Sequence, residues 1–274
     1  MERLEIRSAS RRSFKFGGLA VAGLLLGGPT TSADDAAVRQ RIEERLEKAR
    51  LDRGADIAVD VQAGRALLSG AVTTVAARRG AEKAALKETK AVENRLRVLP
   101  EARPDAEIRE AVRQAILRHP RYSIFDSVDL GVEDGLVLLR GSVRHPHRRS
   151  EIEARVAEVR GIREIRNEIQ VQSVSTFDDR LRYQLAYLIY GDLRFIQYAH
   201  RADPPIHIIV DRGHVTLTGY VASPVERAVI GHIARGVLAF GVDNRLEVDG
   251  QEHTEPAKPE HVGELTDALR SGLL

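Results

Sequence analysis

The 274-residue chain contains no cysteine. That absence excludes a disulfide framework, an acylated cysteine anchor and thiol chemistry, so packing alone has to hold the folded state. Aromatic residues are scarce as well, six Phe and six Tyr in all. The apolar run from Phe16 to Gly28 has 13 residues, too few to span a bilayer as a helix, which needs about 20. A surplus of one charge is also missing. Lysine and arginine number 42 against 40 Asp and Glu, and residues 1–33 hold five of the basic and two of the acidic ones, leaving 37 against 38. No general polycation for nucleic acid remains. With 43% hydrophobic and 30% charged residues, the composition is globular.

What is present begins with a leader, "SASRRSFKFGGLAVAGLLLGGPTTSADDA". A basic start, the apolar run and the small residues Thr31-Ser32-Ala33 form the three regions of a cleavable export signal, with the cut expected after Ala33. Ser10-Arg11-Arg12-Ser13-Phe14-Lys15 resembles the twin-arginine motif, and an ordinary secretory signal containing Arg-Arg is the alternative. The expected location is the periplasm.

A repeat dominates the remainder. "GRALLSGAV" from Gly64, "GLVLLRGSV" from Gly135 and "GHVTLTGYV" from Gly213 share two glycines and a valine at one spacing. Alternating apolar residues flank the first glycine of each copy: Ile57, Val59 and Val61 before Ala66 and Leu68; Val128, Leu130 and Val132 before Val137 and Leu139; Ile206, Ile208 and Val210 before Val215 and Leu217. Period two on both sides of a turn predicts three β-hairpins, with Asp134-Gly135 the clearest turn signal. Two-residue loops place Val61 opposite Ala66, Val59 opposite Leu68 and Ile57 opposite Gly70. The second glycines, Gly70, Gly141 and Gly219, then face inward, where a missing side chain would let a helix backbone come close.

Each hairpin is followed by a helical stretch and a short strand with an asparagine, Asn94, Asn167 or Asn244, lying 24, 26 and 25 residues beyond the second glycine. A crossover helix implies that the second and third strands run parallel. Amphipathic stripes precede each hairpin: Val38, Ile42, Leu46; Ile108, Val112, Ile116; and Leu181, Leu185, Leu188, Ile189. The fold class is therefore α+β, three tandem modules of helix-strand-strand-helix-strand with two helices on one face of a mixed three-stranded sheet. Expected boundaries are 1–33 export signal, 34–99, 104–172 and 177–249 modules, and 250–274 a flexible tail.

This unit, with its G-x5-G-x-V hairpin and V-x-N-x-L-x-V strand, resembles the BON module of osmotically inducible periplasmic proteins and related envelope proteins. The second copy adds Gly161-Ile162 ahead of Ile165 and Asn167, whereas Glu88 and Leu238 stand at that glycine position in the first and third. The third copy also carries a longer insert, "FIQYAHRADPP". The resemblance implies a non-enzymatic envelope protein that binds phospholipid surfaces or envelope partners, in envelope or osmotic stress protection, with no catalytic residues and no cofactor.

Two clusters stand out as candidate contacts. Six of the twelve aromatics lie between Phe177 and Tyr198. At about 100° per residue, Tyr183, Tyr187 and Tyr190 fall opposite the Leu181 stripe, with Arg180, Arg182 and Arg194 nearby. That face either packs on another module or meets a bilayer or partner, where tyrosine rings suit the interface and arginines suit anionic head groups. The second cluster is the basic turn Arg144, His145, His147, Arg148 and Arg149, read either as an anion cradle or half a metal site, or as a solvated helix start. No carboxylate or third histidine lies at a ligand spacing beside it, so no metal is expected. The glycine pairs are not phosphate loops, because no Lys-Ser/Thr follows them. An anionic phospholipid surface and an envelope protein remain the two candidate partners.

Overall fold

The computed structural model describes residues 32–51, 55–201 and 204–249. The expected export signal up to residue 31 and the expected tail from 250 lie outside the described residues. Module one consists of α1 (Ser32–Lys48), β1 (Asp56–Gln62), β2 (Arg65–Val72), α2 (Val75–Ala85) and β3 (Ala91–Val98). Module two has α3 (Asp105–Leu117), β4 (Ser127–Glu133), β5 (Leu136–Val143), α4 (Pro146–Ala157), β6 (Glu164–Asn167) and β7 (Gln170–Val171). Module three has α5 (Thr176–Tyr190), α6 (Ile196–Ala199), β8 (Ile206–Asp211), β9 (His214–Val221), α7 (Pro224–Arg235), β10 (Gly241–Asn244) and β11 (Glu247–Val248).

Each hairpin closes on two residues with positive φ, Ala63-Gly64, Asp134-Gly135 and Arg212-Gly213. This conformation matches the right-handed twist of the flanking strands. It sets the register: Val61 faces Ala66, Val59 faces Leu68 and Ile57 faces Gly70. The third strand runs parallel to the second in every module.

An aspartate at the start of each module's first helix holds the turn. Asp35, Asp105 and Asp178 each accept both backbone N–H groups of the turn pair, at 2.7–3.0 Å. The asparagine of the third strand does a second job. Its side-chain amide donates to a carbonyl of the crossover helix, Asn94 to Arg78, Asn167 to Arg149 and Asn244 to Arg227, at 2.9–3.2 Å. Its oxygen accepts the N–H two residues on. In modules two and three the strand is interrupted there, between β6 and β7 and between β10 and β11.

The inward glycines need a different explanation from helix approach. Gly70, Gly141 and Gly219 have φ of +112°, +110° and +99°, a region side chains rarely adopt. A Cβ there would run into the carbonyl oxygen of Asp56, Ser127 or Pro205, at the entry to the neighbouring strand. The register stands, but the close neighbour is strand backbone rather than a helix.

Three cores follow from the stripes, with Ile42 and Leu46, then Ile108, Val112 and Ile116, then Leu181, Leu185 and Ile189, all buried. Leu188 is an exception to its expected stripe and is 38% exposed. The insert of module three contributes Phe195 and Tyr198 to its core, and the Tyr198 hydroxyl contacts Glu226 and Ala222 N–H. The modules also share packing. Val75 of module one sits in the core of module two, and Arg79 pairs with Glu153 at 2.5 Å.

Candidate interaction surface at the junction of modules two and three

The two sequence clusters meet in space. Arg144, just ahead of α4, donates from Nη1 to the Tyr183 hydroxyl of α5 at 3.0 Å and pairs through Nη2 with Asp179 at 3.0 Å. Its guanidinium lies 5.5 Å from the Tyr183 ring centroid and 6.0 Å from that of Phe125, and the two rings pack edge to face at 5.5 Å. Beside it, the His145 and His147 rings stack 5.4 Å apart. Partial burial, then Arg148 and Arg144, hold the His145 imidazole below its ordinary pKa.

The basic turn is braced differently from its counterparts in modules one and three. Thr74 and Ser223 cap α2 and α7 through their side chains, whereas His145 occupies the corresponding position before α4 without a side-chain cap. Fully buried Asp126 braces the segment just ahead of that helix. It accepts from Ser123 N–H at 3.0 Å, the Ser123 hydroxyl at 2.9 Å and Arg144 N–H at 2.9 Å, and pairs with Arg148.

The structure sorts the expected contact residues. Tyr183 and Tyr187 are 55% and 79% exposed. His147 and Arg149 face solvent, Arg149 also donating to the Asn167 carbonyl at 3.1 Å. Tyr190 is half-buried and donates to the Ile206 carbonyl at 2.5 Å, so it leaves the exposed face. Arg148 is held in its ion pair, with 11% of its side chain accessible. Arg194 is held bidentate by its neighbour Asp192, whose carboxyl it lowers to about 2.

Arg182 is the clear correction. It is buried, and its guanidinium reaches Asp179 at 2.6 Å, Gln172 at 2.9 Å and the Val210 carbonyl. The reason is helical spacing: residue 182 shares the inward stripe of Asp178, Leu185 and Ile189. It joins modules rather than head groups, since Gln172 also donates to the Phe125 carbonyl at 2.8 Å. Sequence reasoning missed Asp126, Phe125 and Asp179. Asp126 had a local signal, the Ser123-x-x-Asp126 spacing of a side-chain-braced turn.

Among the described residues no group of three or more His, Cys, Asp or Glu could hold a metal ion, and no helix is long and apolar enough to cross a membrane.

No curated protein matches the chain. Among solved structures it is similar to CdsD, a structural protein of the Type III secretion system of Chlamydia trachomatis, at 14% identity over 83% of this chain and 96% of that one, with a TM-score of 0.23. A C-terminal domain of CdsD is similar at 12% identity over 76% and 96%, with a TM-score of 0.21. BON domains are associated with periplasmic or envelope proteins and are generally non-enzymatic. The BON domain matches residues 34–100, 104–173 and 194–250, one segment in each of the three modules, and the chain belongs to the BON domain family.

Proposed function

We propose that this chain is a non-enzymatic periplasmic envelope protein that docks on anionic phospholipid surfaces, with Tyr183 and Tyr187 of α5 and the basic turn of Arg144, His147 and Arg149 as its contact. The observation that carries this reading is the meeting of exposed tyrosine rings and a cationic turn at one junction, with Arg144 bonded to Tyr183. Tyrosine places an apolar ring and a polar hydroxyl at the membrane interface, and each nearby cation adds attraction to anionic head groups. A second reading, a protein-assembly surface, is favoured by the packing of Tyr183 on Phe125, which commits part of the ring within the molecule.

Flotation with phosphatidylglycerol-containing vesicles separates the two. On the lipid reading the protein floats at low salt and binding weakens as ionic strength rises. The variant Tyr187→Ser with Arg149→Gln then loses about tenfold or more in affinity while melting normally. Absence of flotation at low salt refutes the lipid reading and leaves the assembly surface.

A further inference from the structure

The hairpin turn of module three is ringed by exposed apolar side chains, a feature that the tyrosine and basic clusters do not explain. Val174 is 95% exposed, Leu238 87%, Phe240 74% and Phe177 38%, and the Phe177 and Phe240 rings stack at 5.5 Å. Hydrogen bonds from backbone N–H groups bring the segments that carry them to one place. Phe240 N–H donates to the Gly213 carbonyl, Asp178 next to Phe177 accepts from Arg212 and Gly213, and Ser173 next to Val174 bonds Asp211. Modules one and two carry nothing similar: counting back from their asparagines, the positions of Leu238 and Phe240 hold Glu88 and Lys90, then Gly161 and Arg163. Leaving large apolar side chains exposed around a turn costs solubility and adds nothing to the module's own core, so the cluster asks for an external partner.

We propose that this tip inserts into the acyl boundary of the bilayer on which the protein docks, adding an apolar anchor to the electrostatic contact. The inference rests on the lipid reading above. Shape and size select the occupant. Four apolar side chains around one turn offer at most a few hundred Å², well short of the roughly 800 Å² per partner of a stable protein interface, whereas insertion into lipid needs no matching surface. Exposed Arg180, one helical turn beyond Phe177, and exposed Arg212, in the turn itself, have side chains long enough to reach back to the head groups while the rings go deeper. Phe177 and Arg180 lie on α5 ahead of Tyr183 and Tyr187, so the tip continues the proposed docking face.

The chain has no tryptophan, so Phe240→Trp creates a single fluorescent reporter at the tip. Added to vesicles of phosphatidylglycerol and phosphatidylcholine, this variant is expected to shift its emission to the blue and to be quenched by lipids brominated on the acyl chain. Leu238→Ser with Phe240→Ser is expected to weaken flotation about tenfold or more and to abolish the part of binding that persists at high salt, with the melt unchanged. Flotation without a blue shift or quenching overturns the tip while leaving the docking surface intact. Failure of the Phe240→Trp protein and the unaltered protein alike to float overturns both. Self-association in sedimentation that Phe240→Ser abolishes, without lipid quenching, also overturns insertion and assigns the tip to a second copy.

Discussion

Replacing Asp126 with Ala removes the acceptor around which the basic turn of module two is organised. The carboxylate is fully buried and serves four donors: Ser123 N–H, the Ser123 hydroxyl, Arg144 N–H and the Arg148 guanidinium. Arg148 has only 11% of its side chain accessible, so the substitution leaves a cation largely out of water without its counter-ion. Breaking a buried pair from one side costs about 3–5 kcal/mol, and the stranded N–H groups act in the same direction. Urea unfolding followed by far-ultraviolet circular dichroism measures the loss as a lower midpoint at unchanged slope. Adding Arg148→Met to Asp126→Ala removes the stranded charge and should recover a large part of the stability, as replacement of both partners of a buried pair does. A loss under about 1 kcal/mol in the single variant, or two substitutions whose costs simply add, refutes the argument that this pair organises the turn.

Two further perturbations test other parts of the reasoning. Gly141→Ala should destabilise the protein by about 1–3 kcal/mol or more, because φ near +110° and the Ser127 carbonyl oppose any Cβ; an unchanged thermal melt would falsify that account. His145 should make stability fall on acidification. Its folded pKa lies below the ordinary value of 6.5, so between that value and the lower folded one the unfolded chain binds the proton first, and stability is lost as pH drops through this window. His145→Gln should flatten the slope of melting temperature against pH on the acid side of 6.5, and an identical slope in both proteins would remove His145 as its source.

The hairpins were legible because two independent constraints agree on them. Period two specifies the inward face, and a two-residue turn leaves one register, which is why Ile57 against Gly70 could be read directly. The role of the inward glycines was not legible, since periodicity says which way a residue points and nothing about φ. The turn-holding aspartates were hidden for another reason: Asp35, Asp105 and Asp178 act on glycines 29, 30 and 35 residues away, across a loop of varying length. The asparagines were visible as a repeat, but their work, reaching a helix carbonyl, exists only once helix and strand are packed. Arg182 was misplaced by charge. Arginine is usually at the surface, yet its spacing from Leu185 and Ile189 already put it on the buried stripe.

The same first helix serves three modules, and its outer face shows where specialisation became possible. On α1 that face carries Arg39 paired with Glu43 and Gln40 bonded to Glu44, and on α3 Glu110 receives Arg113 and Gln114. Both are solvated polar faces laced by local pairs. On α5 the corresponding surface presents Tyr183 and Tyr187. The devices that specify the fold, namely the turn-holding aspartate, the positive-φ turn pair, the inward glycine and the strand asparagine, place no demand on the outer face of the first helix. Its residues are therefore free to change without disturbing the module. The BON domain match in module three begins at residue 194, beyond the end of α5, so the helix that carries the proposed contact lies outside the matched segment. Of the fourteen exposed large hydrophobic residues among those described, ten lie from Phe177 onward. Since modules one and two satisfy the same fold without such a surface, folding does not require it, and it is in module three that an external contact has to be sought.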